Sequence, residues 1–369
     1  MDCKHFGECG ACKEYEDGYN AQLEQKLLLN QERFEKFYNG EIEVFSSDEQ
    51  HYRARSEFKI WHVGDEIYYA MNHRDKKGVV LLQECPQVNQ HIAAMMPKVL
   101  DAIKRYDLGF KLFGADFLSS SDGEIVVSLL YHRQLDTQWQ EQAKRLSDEL
   151  GIHLIGRARK QKIVISQDYV TEKLLIDGKE YRFCHIENSF TQPNPRVNEK
   201  MISWALQNIK GIDGDLLELY CGAGNFTILF ATHFKNVLAT EISKSSINAA
   251  KINMKFNGVE NIEFVRMCVE EFRDALDGVR EFRRMKGIDI NRYNIDTIFV
   301  DPPRSGMDED SCHFSARYKH IVYISCNPET LQRDLEILTQ THNVEKMALF
   351  DQFPYTHHVE MGVKLVKKD

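Results

Sequence analysis

The sequence predicts an α/β protein, in which a doubly wound sheet of about seven strands follows a smaller α+β domain. The main observation is a change of rhythm near residue 190, after which helical segments alternate regularly with short apolar strands. Before that point the strands occur in clusters, as in an antiparallel α+β domain. A chain of 369 residues is long enough for two or three such domains.

The first predicted segment, residues 1–40, begins with closely spaced cysteines and continues as a helix. Cys3, Cys9 and Cys12 have the spacing C-x5-C-x2-C, which indicates a small metal-binding module. An amphipathic helix is expected from about residue 20 to residue 39. Its apolar face carries Leu23, Leu27, Phe34 and Phe37.

The second predicted domain, residues 41–180, has an α+β pattern. Helices are expected near residues 88–106 and 137–149. The predicted strands are 56–61, 66–70, 79–82, 116–118, 124–130, 153–155 and 162–166.

The third predicted domain, residues 181–369, alternates strands with helices. The strands are expected at 216–219, 237–240, 262–265, 297–300, 321–324, 344–349 and 362–366. The helices are expected near 198–209, 243–257, 269–275 and 329–341. This order predicts a Rossmann-like sheet with a ligand crevice at the carboxyl ends of its strands.

Composition limits the class of protein. No stretch is apolar and long enough to span a membrane, and residues 1–7 contain no apolar signal core, so a cytoplasmic location is expected. Nine cysteines are an odd number and do not form a secreted disulfide pattern. The net charge of −9 argues against a general nucleic-acid-binding protein. A local basic face remains open, since residues 156–162 hold four positive charges and no acid, although a solvated surface run is the alternative.

Two glycines after the first strand of the third domain predict a ligand-binding turn. Gly222 and Gly224 permit a sharp turn and close approach of a ligand. Glu241 ends the next strand about twenty residues later, where a ribose-binding acid is expected. The full G-x-G-x-x-G dinucleotide fingerprint is absent, so S-adenosylmethionine, which has a ribose and no pyrophosphate, fits better. A simple strand–helix turn is the alternative.

The segment Asp301-Pro-Pro-Arg304 follows the fourth strand, where open α/β sheets bind ligands. The prolines stiffen the loop and direct the carboxylate of Asp301. Arg304 can reach an anionic or carbonyl oxygen of a substrate. An ordinary turn with a surface arginine is the alternative. Methyltransferases that act on amino groups have an aromatic residue in place of Arg304, which argues against methylation of an exocyclic amine.

Cys326 is predicted to lie between a buried strand and the start of a helix. The apolar run 320–325 indicates the strand, and Asn327, Pro328 and Glu329 suit the first turn of a helix. Proximity to a helix N-terminus lowers the pKa of a thiol and favours a nucleophile. The alternative is a small, buried apolar side chain.

These segments together resemble the RNA uracil-5-methyltransferases, and most closely the tRNA branch, the TrmA family. The resemblance runs from about residue 21 to the C-terminus. Eight segments carry it: 56–62, 127–132, 153–157, 187–194, 215–222, 301–306, 324–330 and 350–360. It implies an S-adenosylmethionine-dependent methyltransferase domain joined to an α+β RNA-binding domain.

The resemblance also implies roles for individual residues. The expected S-adenosylmethionine contacts are Gln192, Tyr220, Asn225, Glu241 and Asp301. Cys326 matches the nucleophile and Glu360 the general base, while Phe113 matches an aromatic that stacks on RNA bases. Arg304 and Lys59 are further candidates for RNA contacts.

The implied chemistry requires both a nucleophile and a separate base. Carbon 5 of uracil is a poor nucleophile until a thiolate adds at carbon 6 and places electron density on carbon 5. After methyl transfer, a base must remove the proton of carbon 5 so that the cysteine can leave by elimination. The target base must also leave its stack to be reached.

The N-terminal cysteines depart from the tRNA branch. They resemble the iron–sulfur segment of the related rRNA enzymes, and Cys85, followed by Pro86, matches the fourth ligand. A 4Fe-4S cluster on Cys3, Cys9, Cys12 and Cys85 is therefore expected, with structural zinc as the alternative.

The expected substrate is the T-loop uridine of tRNA, and other RNA with a T-like loop is a further candidate. Two alternatives remain, namely 5-methyluridine formation in rRNA and a non-catalytic RNA-binding or folding protein. The protein is expected to act as a monomer, without a membrane partner.

Overall fold

The computed structural model describes residues 1–12 and 17–369. Its first helix is α1 (Tyr19–Phe34), and the short strand β1 (Glu43–Phe45) follows. Although β1 comes early in the chain, it pairs in parallel with a strand close to the C-terminus. The N-terminal segment is therefore held against the last domain. None of the helices described is both long and apolar enough to cross a membrane.

The central domain contains a seven-stranded sheet in the order β4-β3-β2-β5-β6-β7-β8. Its strands are β2 (Arg55–Val63), β3 (Glu66–Asn72), β4 (Val79–Leu82), β5 (Leu112–Ser119), β6 (Ile125–Tyr131), β7 (His153–Ala158) and β8 (Gln161–Val164). Its helices are α2 (Gln90–Arg105) and α3 (Thr137–Leu150). Neighbouring strands are antiparallel except β6 and β7, which α3 connects. A parallel pair needs such a crossover, which explains this departure from the expected antiparallel sheet.

A separate two-stranded hairpin links the domains. It consists of β9 (Tyr169–Ile176) and β10 (Lys179–Ile186). Strand β9 packs on α4 (Pro195–Ile209), and β10 packs on α6 (Lys244–Phe256). The backbone N–H of Cys184 donates to Asn253 Oδ1 over 2.6 Å, so a helix side chain fixes the edge of the hairpin.

The C-terminal domain is built on an eight-stranded sheet with the order β1-β16-β17-β15-β14-β11-β12-β13. Its strands after β1 are β11 (Asp215–Leu219), β12 (Val237–Thr240), β13 (Ile262–Val265), β14 (Ile295–Val300), β15 (His320–Ser325), β16 (His342–Phe350) and β17 (Glu360–Lys367). The remaining helices are α5 (Thr227–Phe230), α7 (Val269–Leu276), α8 (Glu309–Ser315) and α9 (Pro328–Leu338), with 3₁₀ turns at Arg283–Met285 and Ile290–Arg292. The predicted α/β class and all seven predicted strands of this domain are confirmed, and β1 is an additional strand.

The order of the strands positions the site. From β11 the chain continues to β12 and β13 on one side, and β14 then pairs with β11 on the other side. A crevice forms where the strand order reverses, beyond the carboxyl ends of the strands. Every residue of β11 and β12 is buried, because apolar clusters cover both faces of the sheet. The central strands thus form a rigid base for the loops that follow them.

Candidate active site

A cavity of about 830 Å³ lies at this crevice, beyond the carboxyl ends of β11, β12, β14 and β15. The sequence-predicted residues that line it are Gln192, Tyr220, Asn225, Glu241, Asp301, Arg304, Cys326 and Glu360. The fold therefore brings together residues that are up to 168 positions apart, the separation of Gln192 from Glu360. The volume of the cavity is in the range found for small-molecule and cofactor sites.

The loop after β11 is shaped by residues in the left-handed backbone region. Tyr220 has φ 61°, and the two glycines have φ 55° and 82°. The Gly222 N–H donates to Glu241 Oε2 over 3.1 Å, while the Ser243 N–H donates to Oε1 over 2.6 Å. The carboxylate of Glu241 is therefore held in place by backbone donors at the mouth of the cavity, where it can accept a hydrogen bond from a ribose hydroxyl.

Two predicted cofactor residues are each fixed by an amide that no sequence motif indicates. Asn225 and Asn198 exchange two side-chain hydrogen bonds of 2.8 Å. Gln352 Nε2 donates to Gln192 Oε1 over 2.8 Å. Both pairs join residues that are far apart in the chain, so spacing alone gave no signal for them. They orient the amides that face the cavity.

Glu218 is a further residue of the site that no sequence motif indicates. Its side chain is only 1% exposed, it lines the cavity, and Oε2 has no hydrogen-bond partner in the described structure. Burial and the nearby carboxyl of Asp301 raise the pKa of Glu218 well above its ordinary value, and the Thr227 side chain acts in the opposite direction. A buried carboxyl with an unused oxygen is a good partner for a cationic group of a ligand.

Asp301 lies at the end of β14, and burial raises the pKa of its carboxyl to about 7. Together with Glu218 it forms an acidic wall. S-adenosylmethionine carries an α-ammonium group and a sulfonium, and both positive charges suit this wall. A bound cation lowers the raised pKa values of these two carboxyls and favours their charged forms, so the residues present fit that cofactor by charge as well as by cavity volume.

Cys326 and Glu360 lie next to each other at the ends of two neighbouring strands. Strands β15 and β17 are antiparallel, with Ser325 opposite Met361. Continuing this register by one residue places Cys326 opposite Glu360. Both residues line the cavity, so the predicted nucleophile and base share one chamber.

The expected low pKa of the Cys326 thiol is wrong for this structure. Burial raises its pKa to about 12, with further contributions from the carboxyls of Glu360 and Asp301, while Arg304 acts in the opposite direction. The predicted strand end and helix start are both present, and Asn327 Oδ1 accepts from the N–H of Glu329 over 3.1 Å. Burial and nearby carboxyls therefore outweigh the helix terminus.

Arg304 lines the same cavity as Cys326 and Glu360. Its Nη2 lies 2.8 Å from His358 Nδ1, and its backbone oxygen accepts from Asn327 Nδ2 over 3.1 Å. Burial and Asp301 raise the pKa of Glu360 well above its ordinary value, and Arg304 opposes this shift. Asp301 and Arg304, which belong to one loop, therefore shift the pKa values of both Cys326 and Glu360.

The candidate RNA contacts Phe113 and Lys59 lie on the central domain, outside the cavity lining. The Phe113 ring stacks on His132 with centroids 4.0 Å apart. Lys59 Nζ donates to Asn72 Oδ1 over 2.5 Å. Both side chains are exposed, so they remain accessible to a large substrate.

The predicted metal site is not supported. Cys12 is buried, and its pKa is raised to about 12 by burial and by Cys85, Cys9 and Cys3, so the four thiols share one neighbourhood. Within residues 1–12 and 17–369, however, no three Cys, His, Asp or Glu side chains are arranged to hold a metal ion. The Cys12 sulfur instead accepts from Gln87 Nε2 over 3.0 Å.

Comparison with known proteins identifies the family. The family model described as tRNA (Uracil-5-)-methyltransferase matches residues 18–368. Among curated relatives, the tRNA/tmRNA (uracil-C(5))-methyltransferase of Sulfurimonas denitrificans is 67% identical over 369 residues, covering 100% of both chains. The protein of that name from Vibrio vulnificus is 51% identical, covering 95% of this chain and 97% of the relative.

A solved structure shows the same fold. It is the Pyrococcus abyssi tRNA (uracil-54, C5)-methyltransferase in complex with S-adenosyl-L-homocysteine, with a TM-score of 0.69 and 22% identity. The match covers 95% of this chain and 84% of the Pyrococcus chain. The C-terminal domain thus has the α/β fold of S-adenosylmethionine-dependent methyltransferases, and the chain belongs to the tRNA (uracil-5-)-methyltransferase family.

Proposed function

We propose that this protein is an enzyme that transfers a methyl group from S-adenosylmethionine to carbon 5 of a uridine in the T-loop of tRNA. The observation that carries the proposal is the opposition of Cys326 and Glu360 in the cavity that Gln192 and Asp301 also line. Family membership supports tRNA over rRNA as the substrate. The names of the relatives also include tmRNA, which becomes a second substrate to test.

The proposed reaction uses Cys326 and Glu360 in sequence. The Cys326 thiolate adds to carbon 6 of the uracil, and the electron pair of the 5,6 double bond becomes an enolate. Bound S-adenosylmethionine supplies an electrophilic methyl group, which carbon 5 accepts. Glu360 then takes the proton from carbon 5, the double bond re-forms, and the thiolate leaves. The products are 5-methyluridine, S-adenosylhomocysteine and one proton.

The raised pKa of Cys326 gives Arg304 a defined part in this scheme. A thiolate beside Asp301 and Glu360 requires positive charge nearby, and Arg304 is the side chain that lowers the pKa of Cys326. A uracil carbonyl that gains enolate charge would be stabilised by the same guanidinium. We therefore assign Arg304 to thiolate and enolate stabilisation, and Phe113 and Lys59 to RNA contacts.

Trapping with RNA that contains 5-fluorouridine tests the proposal. Fluorine replaces the proton that Glu360 would remove, so addition and methylation proceed while elimination stops. With S-adenosylmethionine, the wild-type protein should form a covalent adduct, and Cys326→Ala should form none. A non-catalytic RNA-binding protein would form no adduct in either the wild-type or the Cys326→Ala form. Absence of an adduct with the wild type would therefore overturn the proposal.

The choice of RNA is tested separately by methylation of unmodified tRNA, tmRNA and rRNA, followed by nucleoside mass spectrometry. The expected result is 5-methyluridine in the T-loop of tRNA. Methylation confined to rRNA would overturn the substrate assignment while leaving the chemistry intact. The protein is proposed to act as a monomer, which light scattering on the purified chain would check.

Methyl transfer as written involves no electron transfer, so the proposed reaction does not depend on the metal centre expected on Cys3, Cys9, Cys12 and Cys85. Iron and sulfide analysis of protein purified without oxygen tests that expectation. About four irons per chain would support a 4Fe-4S cluster, and iron-free protein would contradict it.

A further inference from the structure

Three loops meet at one end of the central sheet, outside the cavity. They are residues 109–111 before β5, residues 132–135 after β6, and the β7–β8 turn at residues 159–160. The Arg133 Nε–H donates to the backbone oxygen of Phe110 over 3.2 Å. Gln134 Nε2 donates to the backbone oxygen of Arg159 over 3.0 Å. Hydrogen bonds therefore join all three loops into one surface.

The centre of this surface is an exposed aromatic ring. The Phe110 side chain is 64% exposed, although its neighbour Leu112 is buried in the domain core. Lys111 Nζ lies 5.6 Å from the centroid of the ring, and the Arg133 guanidinium carbon lies 5.8 Å from it. An accessible ring with cations on its flanks is the arrangement that stacks an unpaired nucleic-acid base and binds its phosphates.

The surface is strongly cationic in a chain whose net charge is −9. Arg159 and Lys160 are exposed and extend the positive charge from Lys111 and Arg133. A carboxylate also approaches it, that of Asp136, whose Oδ2 lies 3.9 Å from Arg133 Nη1. Because that carboxylate also caps α3, it neutralises the positive charge of these four side chains only in part. We call Phe110, Lys111, Arg133, Arg159 and Lys160 the Phe110 platform.

The platform is continuous with the candidate RNA contact at Phe113. The backbone N–H of His132 donates to the oxygen of Lys111 over 3.0 Å, and the His132 ring stacks on Phe113. The exposed rings of Phe110 and Phe113 therefore lie on adjoining parts of the same surface. A strand of RNA in contact with Phe113 can extend onto the platform.

We propose that the Phe110 platform is an RNA-binding surface that extends beyond the target loop. An unpaired base stacks on Phe110, and phosphates of the same strand bind Lys111, Arg133, Arg159 and Lys160. This inference rests on the proposed function, because RNA is the substrate there. Charge complementarity with the phosphodiester backbone selects RNA as the occupant.

Direct binding of unmodified full-length tRNA tests the stacking role. Phe110→Ala is expected to weaken binding about 5- to 150-fold, the range for loss of one base–aromatic stack. Phe256→Ala is the matched control, since Phe256 is 45% exposed on α6 of the other domain. It is expected to bind tRNA like the wild type. Affinity for S-adenosylmethionine and thermal unfolding confirm that each variant is folded.

The cations are tested through salt dependence. Lys111 and Lys160 have φ of 57° and 60°, so Lys111→Asn and Lys160→Asn suit the backbone better than alanine. For each phosphate that a variant no longer neutralises, the slope of log affinity against log salt should fall by about 0.7 to 0.9. Lys235→Asn, an exposed cation of the C-terminal domain, is the control for net charge.

The outcomes separate this inference from the proposed function. Failure of the wild-type protein to bind or methylate tRNA would overturn both. Normal methylation by the wild type, with tRNA affinity and salt slope unchanged in the platform variants, would overturn the platform alone. If the platform variants bound tRNA like the wild type but lost the wild type's binding of a polyglutamate probe, the platform would be assigned to an acidic protein partner instead.

Discussion

Lys26 Nζ of α1 lies 2.7 Å from Asp351 Oδ1, and both side chains are buried. Asp351 follows β16 and begins the loop that leads to Glu360. Gln22 Nε2 donates to the other carboxylate oxygen over 3.0 Å, and Lys26 also donates to the backbone oxygen of Phe353 over 3.1 Å. The N-terminal helix therefore anchors the loop that carries the candidate base.

Lys26→Met is expected to destabilise the protein by about 3 kcal/mol, because it leaves the buried carboxylate of Asp351 without its cation. Urea unfolding measures the change. Lys36→Met is the control, since the Lys36–Glu336 pair has the same 2.7 Å distance but both side chains are exposed. That change should cost less than about 1 kcal/mol. Equal effects of the two substitutions would contradict the anchoring role of the buried pair.

The same helix shows a limit of sequence patterns. Phe34 is buried in the core as expected, but Leu23, Leu27 and Phe37, also expected on the apolar face, pack only at the edge of the core. The positions that are fully buried include Gln22, Lys26 and Asn30. A periodicity of apolar residues cannot identify this face, because Gln22 and Lys26 are paired with Asp351, which lies 329 and 325 residues away in the chain.

The missed β9–β10 hairpin had a usable local signal. Asp177 and Gly178 connect the strands, with φ of 49° and 80°, as in a two-residue turn with both residues left-handed. Asp-Gly between alternating apolar residues is a strong hairpin signature. By contrast, the fully buried strands such as β11 were predicted well, because burial on both faces requires an uninterrupted apolar run.

The candidate site also has features that the sequence can predict and features that it cannot. Motifs that end strands, such as Asp301 and Cys326, could be placed from sequence because strand ends converge on the crevice. The electrostatic environment of Cys326 could not, since it depends on burial in the folded chain and on Glu360, which lies near the thiol through the antiparallel β15–β17 register.

The reactivity of Cys326 should respond in opposite directions to two substitutions. Asp301→Asn removes a negative neighbour and is expected to lower the pKa of the thiol. Arg304→Gln removes the positive neighbour and is expected to raise it. A change of one pKa unit alters the thiolate fraction about tenfold below the pKa. The measurement is the rate of Cys326 alkylation by iodoacetamide between about pH 7 and 10, followed by peptide mass spectrometry.

Cys268 offers an internal reference for that experiment, because it is half-buried and lines the same cavity. Its alkylation rate should change less than that of Cys326 in both variants. Parallel changes at the two cysteines would indicate altered access to the cavity and would contradict the electrostatic explanation.

The stability of the unliganded protein should depend on the ionisation of Asp301. Burial raises its pKa from 3.8 to about 7, so the folded chain holds the proton more tightly than the unfolded chain does. The resulting stabilisation is complete below about pH 4 and is lost as the pH rises through 7. Relative to wild type, Asp301→Asn should therefore gain about 3 kcal/mol of unfolding free energy between about pH 4.5 and 8, at about 1.4 kcal/mol per pKa unit. A difference that is constant with pH would refute this assignment.

Glu218→Gln should separate ligand binding from stability. Because Oε2 of Glu218 is buried without a partner and lines the cavity, the neutral variant is expected to be as stable as the wild type or more stable without ligand. Its affinity for S-adenosylmethionine, measured by calorimetry, should fall about 10-fold or more, the effect of losing one charged hydrogen bond. Glu172→Gln is the matched control. Glu172 is also fully buried with Oε2 unpartnered, but it lies on β9 outside the cavity lining. Equal losses of affinity in both variants would show that a buried charge, and not contact with the cofactor, determines binding.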